Sequence, residues 1–244
     1  MFHQETFLSS PEWINRAWTG WPKTPYDEIN DSLFHLANIL QRFDAVARDT
    51  DPSAQVAGFR KVIAEYEAVE STLQDIYEAF QQSVSGQLYW PALPQLTSPV
   101  DDSPSGRVFI VAFHFPNLFV AQVVATYWSA TMTVHAHLMH SHALLAAVEA
   151  ATGELEQSAA SAEQAKARDV GWRRMAANLC QSGEYFMQPG MGSYGPLLAL
   201  TFFSGCYSCY FTGGDGGGRE LLWVADMMAR IKTQLHLPLE NLLM

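Results

Sequence analysis

Four histidines lie close together in the middle of the chain, and imidazole side chains can bind metal ions or transfer protons near neutral pH. They are His135, His137, His140 and His142. On a helix, where each residue turns by about 100°, His135 and His142 share one face about 10.5 Å apart along the axis, and His137 and His140 share another. The four therefore cannot bind one ion together. This helix alone offers at most the pair His137 and His140 as candidate catalytic residues.

The helix face that carries His137 and His140 is polar but uncharged. Its other members are Gln122, Thr126, Ser129 and Thr133, and all six fall within about 80° of the helix circumference. A solvent-exposed stripe of this length usually carries some charge. We therefore expect this polar stripe to lie inside the protein, where it either hydrogen-bonds to neighbouring helices or lines a ligand-binding pocket. The sequence leaves both alternatives open.

Asp27 and Asp31 are spaced i, i+4, so that both carboxylates lie on one helix face and could share a magnesium ion. The metal–diphosphate sites of terpene cyclases have such a spacing. The alternative is that acids in a first turn stabilise the helix through its dipole. A matching second motif is missing, because the position four residues after Ser182 is Phe186 and not an acid. The sequence therefore favours the structural role and no cofactor, and magnesium is expected only for a diphosphate substrate.

Cys206 and Cys209 form a lone Cys-x-x-Cys motif late in an apolar helix. Thioredoxin-type chemistry expects this motif after a strand, and a zinc site would need two more ligands. The motif therefore indicates buried, reduced thiols. The glycine-rich run 213–218 is followed by Arg219-Glu220 instead of Lys-Ser/Thr, so that it predicts a flexible loop and not a phosphate-binding loop.

Helix signals near the N-terminus predict a helical hairpin. Thr24 is suited to be an N-cap and Pro25 to occupy the first helical position, and apolar residues then recur at three- and four-residue intervals. A second amphipathic helix begins at Asp51-Pro52. Because the connection is short, the two helices should be antiparallel.

The rest of the chain is also predicted to be helical, which gives an all-α fold: an irregular bundle of about six helices. The first twenty residues should form an irregular arm, and a long helix should run from about Pro116 to Ala151. Residues 152–165 are small and polar and predict a mobile connection or a frayed helix. Further helices are expected at about 167–187, 196–211 and 219–235, and strand alternation is convincing nowhere. We predict one domain, 1–244, made of an arm plus hairpin (1–85), a proline-rich loop (86–106) and a helical core (107–244).

The net charge is −11 and the sequence pI is near 5.0, and no run of Lys or Arg is present. Binding of nucleic acids or anionic membranes depends on basic surfaces, so the chain alone is expected to bind neither. Residues 108–134 lack Lys, Arg, Asp and Glu but include Pro, Asn, Gln and Thr, which favours a buried core helix over a membrane span. The N-terminus does not have the pattern of a secretory signal. We therefore expect an intracellular, cytoplasmic protein, or a nuclear one if it is a regulator.

Several segments, in order along the chain, resemble one family. They are TFLSSPEW (6–13), KTP (23–25), LYWP (88–91), VAFHFP (111–116), CQSGEYF (180–186) and RELLW (219–223). They are similar to the C-terminal helical regulatory region of fungal six-cysteine zinc-cluster transcription factors. The resemblance implies a helical regulatory fold. The chain departs from the family because it lacks the six closely spaced cysteines that would bind two zinc ions, so a DNA-reading part is not expected here.

These features lead to two hypotheses. In the first, the chain binds an apolar, natural-product-like molecule and catalyses its cyclisation or isomerisation without a redox cofactor, in fungal secondary metabolism; this is an analogy from the fold. The aromatic content of 12% and the uncharged stripe favour it. In the second, the chain is a regulatory or dimerisation module that forms a homodimer and reaches DNA only through partners. An aromatic-lined cavity touching residues 122–140 would favour the first.

Overall fold

A computed structural model describes residues 7–212 and 218–237 of the chain. The fold is all-α, as the sequence predicts. Within these ranges the α-helices are α1 (Pro11–Ile14), α2 (Pro25–Ala47), α3 (Pro52–Ser83), α4 (Leu118–Thr152), α5 (Leu155–Phe186), α6 (Tyr194–Thr212) and α7 (Gly218–Gln234). Two short strands, β1 (Trp90–Ala92) and β2 (Ala112–His114), pair antiparallel.

The start of α2 is fixed by local sequence. The hydroxyl of Thr24 accepts a hydrogen bond from the Asp27 amide, and the Asp27 carboxylate accepts one from the Thr24 amide, which together form a capping box. Pro25 occupies the first turn, where its missing N–H has no consequence. At the start of α3, the side chain of Asp51 caps the amide of Ser53. Both predicted helix starts are confirmed.

The chain divides into two compact units. The first combines residues up to Ser85 with Ala130–Arg173, and the second combines Gly86–Ser129 with residues from Arg174 onward. The long helices α4 and α5 therefore each contribute to both units. The proline-rich segment 86–106 begins the second unit, and the predicted single domain stays a prediction.

In the first unit, α2 and α3 pack as the predicted antiparallel hairpin. Phe43, near the end of α2, contacts Phe59, near the start of α3. The buried apolar side chains of the hairpin include Ile29, Leu36 and Ile39 from α2 and Phe59, Tyr66 and Leu73 from α3. Their separations of three or seven residues place them on one face of each helix, which explains why these helices bury one side against each other.

The second unit contains the β1–β2 ribbon and the α6–α7 pair. In the ribbon Trp90 is opposite His114 and Pro91 is opposite Phe113. Next to it lies an aromatic cluster formed by Tyr89, Phe113, Phe115, Trp128, Tyr185 and Phe186. Three of the segments that carry the family resemblance, 88–91, 111–116 and 180–186, thus contribute residues to one packed region.

For residues 152–165 the sequence left a mobile connection and a frayed helix open, and the structure shows helix, since α4 ends at Thr152 and residues 155–165 belong to α5. Their alanine-rich sequence has high helix propensity. Ser158 and Ser161 also connect this part of α5 to α4, because they donate hydrogen bonds to the carbonyl of Ala146 and to the carboxylate of Glu149. The first twenty residues are not wholly irregular, since they include α1 and 3-10 turns at Phe7–Ser9 and Arg16–Trp18.

Among the helices in the described ranges, none combines the length and apolarity that crossing a membrane requires. The uncharged stretch that starts α4 is instead packed in protein, with Val120, Val123, Val124 and Ala125 all buried. This agrees with the interpretation of that stretch as a core helix.

Candidate functional site

The polar stripe of α4 is partly buried. In the second unit, Thr126 is buried and Gln122 and Ser129 are half-buried. In the first unit, Thr133 and His137 are half-buried and His140 is exposed. Ser129, Thr133 and His137 all have interaction partners. Most of the stripe is therefore away from open solvent, but its C-terminal end is not.

His137 and His140 both lie against aromatic rings of the first unit. The ring of His137 stacks on Tyr66 with a centroid distance of 5.6 Å and an interplanar angle of 7°. His140 lies 5.4 Å from the ring of Phe43. Tyr66 is fully buried, and its burial raises the pKa of its hydroxyl. A stacked imidazole beside a neutral phenol is a packing arrangement.

The other histidine pair of α4 has a different environment. His135 is buried, and its Nε2 lies 2.6 Å from Oε1 of Glu70 on α3. The guanidinium of Arg168 on α5 donates to both carboxylate oxygens of Glu70 at 2.7 Å. The hydrogen bond from His135, helped by the positive charge of Arg168, lowers the pKa of Glu70. This Glu70 network joins three helices of the first unit, and the sequence analysis did not find it.

The backbone of Gly171 closely approaches the ring of His135. A Cβ atom on residue 171 would clash with Nδ1 of that ring. Nδ1 itself is buried without a hydrogen bond among the described residues. Gly171 therefore packs against the Nδ1 side of the His135 ring, and the hydrogen bond between His135 and Glu70 connects α4 to α3.

His142 is also buried, and neither ring nitrogen makes a hydrogen bond in the described part of the chain. Burial lowers its pKa, and Glu67, Arg168 and Glu149 are the charged groups that act on it. Glu149 is itself buried, and accepts hydrogen bonds from Arg60 at 2.9 Å and from Ser161 at 2.8 Å. The imidazole of His142 is therefore neutral at neutral pH, and its protonation in this buried position is unfavourable.

A cleft with a volume of about 550 Å³ lies between the N-terminal segment and α2 in the first unit. We call it the N-terminal aromatic cleft. It is lined by Leu8, Trp13, Trp18, Tyr26, Asp27, Asn30, Asp31 and Phe34. Four aromatic rings thus share one cavity with three polar side chains. The sequence signal that could have identified it is the concentration of Trp residues directly before the acidic first turn of α2.

The two candidate metal ligands, Asp27 and Asp31, both line this cleft, and each already has a partner. Oδ2 of Asp27 accepts hydrogen bonds from the amide and hydroxyl of Thr24, at 2.9 and 2.6 Å. Oδ2 of Asp31 forms an ion pair with Lys23. Within 7–212 and 218–237, no group of three or more His, Cys, Asp or Glu residues is arranged to hold a metal ion. Asp27 thus belongs to the capping box of α2, in the first turn, where the sequence favoured a structural role for this acid.

A second cleft, of about 480 Å³, lies between α2 and α3 on the other side of Asp31. Its polar lining includes Lys23, Glu28, His35 and Thr72. Neither cleft is lined by any residue of the polar stripe. The first hypothesis would be favoured by an aromatic-lined cavity touching the polar stripe, and neither of these two clefts touches it.

The prediction of buried thiols is confirmed for Cys206, whereas Cys209 is only half-buried. Cys206 is buried, and its thiol contacts the carbonyl of Ala176 at 3.7 Å. Burial raises the pKa of Cys209 to about 12, so that its thiolate, the nucleophilic form, is disfavoured at neutral pH. The glycine run 213–218 falls almost entirely outside the described residues; only Gly218, the first residue of α7, lies within them.

No protein-family model, curated protein or solved structure matches this chain.

Proposed function

We propose that the protein binds a small, mostly apolar organic molecule in the N-terminal aromatic cleft. The observation that carries this proposal is the combination of size and lining: an open cleft of about 550 Å³ lined by four aromatic rings, one leucine and three polar side chains. Ligand pockets commonly have volumes of about 300–1,000 Å³ and a mainly apolar lining with a few polar groups. The cleft has the dimensions and composition of such a pocket.

The exposure of the cleft's aromatic residues supports the same function. Trp13 keeps 51% of its surface exposed, although it packs edge-on against Phe7 at 5.5 Å. Covering apolar surface is favourable by about 25 cal/mol per Å². Binding of a ligand that covered the rings of Trp13, Trp18 and Phe34 would therefore be favourable, because it would remove their apolar surface from water.

The chemical step suggested by the sequence, a cyclisation or isomerisation at His137 and His140 without a redox cofactor, stays a prediction. Neither histidine lines the cleft. Binding and turnover therefore need separate tests. Magnesium would be needed only if the ligand carried a diphosphate.

Binding can be tested with N-phenyl-1-naphthylamine, an uncharged dye whose fluorescence rises in apolar surroundings. We expect saturable binding to the whole chain, and weaker binding to the variants Trp18→Ala and Phe34→Ala, because each removes a ring from the cleft. Trp21→Ala is the matched control, since Trp21 is a neighbouring tryptophan that is 74% exposed and does not line the cleft.

Equal dye affinity in the wild-type protein, the two cleft variants and the control would contradict the proposal. Circular dichroism and the melting temperature of each variant show whether the fold is retained. A variant that unfolds would be replaced by Trp18→Leu or Phe34→Leu, which keep apolar volume and remove the ring.

The second hypothesis, a dimerisation module, is favoured by a specific feature of α6. This helix carries no charged residue over its length, although one face is exposed and the chain has a net charge of −11. That face carries Leu197, Thr201, Ser204, Ser208 and Phe211. Each of the three hydroxyls donates to a carbonyl four residues earlier in α6, so that covering this face leaves no donor unsatisfied.

The occupant that fits this α6 face is a second copy of the chain. Two acidic molecules repel each other except where their surfaces are uncharged. Leu197 and Phe211 each stand seven residues from Ser204, so a two-fold axis there would place Leu197 of one copy opposite Phe211 of the other. Sedimentation of wild-type protein should reveal a dimer, and Ser204→Arg should produce monomers. A monomeric wild-type protein at high concentration would exclude this second function.

A further inference from the structure

The charged side chains that line the N-terminal aromatic cleft in the described part of the chain are both carboxylates. The polar side chains that line it are Asp27, Asn30 and Asp31, and among the described residues that line it there is no Lys, Arg or His. A carboxylate only accepts hydrogen bonds at neutral pH, and it attracts cations. A ligand that uses these groups must therefore supply donors, positive charge or both.

Asp27 and Asp31 each use only one of their two carboxylate oxygens in contacts with the described residues. The bonds that Asp27 accepts from Thr24 both end on Oδ2, and the ion pair of Asp31 with Lys23 also uses Oδ2. The Oδ1 atoms of Asp27 and Asp31 accept no hydrogen bond from the residues that the structure describes. The protein's own contacts therefore hold the two carboxylates in place without saturating them.

The aromatic lining favours the same kind of ligand. The face of an aromatic ring carries partial negative charge and attracts ammonium groups, with Trp the most effective ring. Trp13, Trp18, Tyr26 and Phe34 line the cavity that the two carboxylates also line. Rings and carboxylates in one cavity therefore provide two independent kinds of attraction for a cation, and Lys23 offsets part of the charge of Asp31.

We propose that the ligand of this cleft is an organic ammonium cation with an apolar body. This inference rests on the proposed function and adds the chemical class of the ligand: its apolar part contacts the aromatic rings, and its ammonium group donates to the free oxygens of Asp27 and Asp31. Lys23, which pairs with Asp31 at an exposure of 19%, competes with the ligand's charge for that carboxylate.

Three probes that share one ring system test the class of ligand: 2-(1-naphthyl)ethylamine, 2-(1-naphthyl)ethanol and 1-naphthylacetate. They are cationic, neutral and anionic at pH 7, and their affinities for the whole chain are measured by isothermal titration calorimetry. We expect the amine to bind about tenfold more tightly than the alcohol, as one cation–π contact and one charged hydrogen bond would produce, and the carboxylate to bind most weakly.

Three variants assign the preference to the cleft. Asp27→Asn keeps the shape of the side chain and its cap but removes its charge, so that the amine should lose about tenfold in affinity while the alcohol is unaffected. Lys23→Met removes the competing cation, and the amine should bind more tightly. Glu28→Gln is the matched control, because Glu28 is an exposed neighbouring acid that does not line this cleft.

The outcomes separate this inference from the proposed function. If the amine and the alcohol bind equally and the cleft variant Phe34→Ala weakens both, the ammonium class is wrong and the cleft remains a binding site. If the amine is preferred but Glu28→Gln removes the preference as strongly as Asp27→Asn, the preference comes from the general acidity of the chain and the inference is also wrong. If none of the probes and no dye binds, the proposed function itself fails.

Discussion

The two histidine pairs of α4 show how differently residues of one type are used on two faces of one helix. His135 and His142 are buried at 8% and 7% exposure, and His135 has a carboxylate partner. His137 stacks on Tyr66, and His140 is exposed beside Phe43. His137 and His140, the pair with candidate catalytic spacing, therefore contact aromatic rings. His135, from the other pair, contacts a charged side chain, Glu70. The role of a histidine on a helix depends on the residues that neighbouring helices bring to it.

The largest effect is expected from removing the carboxylate that serves the buried pair. Glu70→Ala leaves the guanidinium of Arg168, 19% exposed, and the ring of His135 without their hydrogen-bond acceptor. Breaking one side of a largely buried ion pair costs about 3 kcal/mol, and we expect a loss of that size in the free energy of unfolding measured with urea.

The control for this variant is Glu67→Ala. Glu67 is 50% exposed and lies 3.8 Å from the same Arg168, an arrangement that contributes less than about 1 kcal/mol. If the two variants destabilise the protein equally, the Glu70 network does not stabilise the first unit in the way described here, and the contrast between the two histidine faces loses its energetic basis.

A somewhat smaller effect is expected from Gly171→Ala. Its new methyl group would collide with the ring of His135, which must shift and lengthen its bond to Glu70. Overpacking of this kind costs about 1–3 kcal/mol. Gly190→Ala is the control, because nothing lies within 4 Å of a Cβ atom there. Without the clash, replacing glycine by alanine in a helix would not destabilise the protein, since alanine is the better helix former.

Protonation of His142 provides a pH test. Burial lowers its pKa below the ordinary value of 6.5, so that its neutral form contributes stability above that pH and the contribution is lost as the pH falls. The pKa of Glu70 is lowered from 4.5, so that its contribution is still present at pH 5 and is lost only in stronger acid. Between pH 7 and pH 5 we therefore expect His142, and not Glu70, to change the stability.

We expect the free energy of unfolding to fall by about 1 kcal/mol over that range, within the limit of about 1.4 kcal/mol per pH unit for one proton. His142→Phe should remove the decrease, because phenylalanine fills the site and does not titrate. His35→Gln, which removes an exposed imidazole, should leave it unchanged. A decrease that persists in His142→Phe would show that another group causes it.

The features that the sequence predicted are those whose causes are local. The start of α2 depends on Thr24, Pro25 and Asp27, which lie within four positions, and it was predicted correctly. The β1–β2 ribbon was missed because each strand has three residues, and Pro91 interrupts the first. The residues of α5 before position 166 were predicted only as a mobile connection or a frayed helix, because their small side chains suit both and the carboxylate that Ser161 contacts, Glu149, lies in another helix.

The candidate site was harder to predict because its partners are distant in sequence. Glu70 is 65 residues from His135 and 98 residues from Arg168, so that no spacing rule connects them. Asp27 and Asp31 were found from their i, i+4 spacing, but the cavity beside them depends on Trp13 and Trp18, in a segment predicted to be irregular. Residue types and helix faces could therefore be predicted, and the neighbours that give them a role could not.

The smallest effects are expected at the pair that the sequence favoured, and they decide between the polar stripe and the aromatic cleft. His137→Ala removes the stacked contact with Tyr66 and should lower the free energy of unfolding by about 1 kcal/mol. His140→Ala alters an exposed position and should change it by less than about 0.5 kcal/mol. Because neither residue lines the aromatic cleft, dye and amine affinities should be unchanged in both variants. A folded His137→Ala or His140→Ala protein that no longer binds would instead locate the ligand at the stripe, and the aromatic cleft would then not be the binding site.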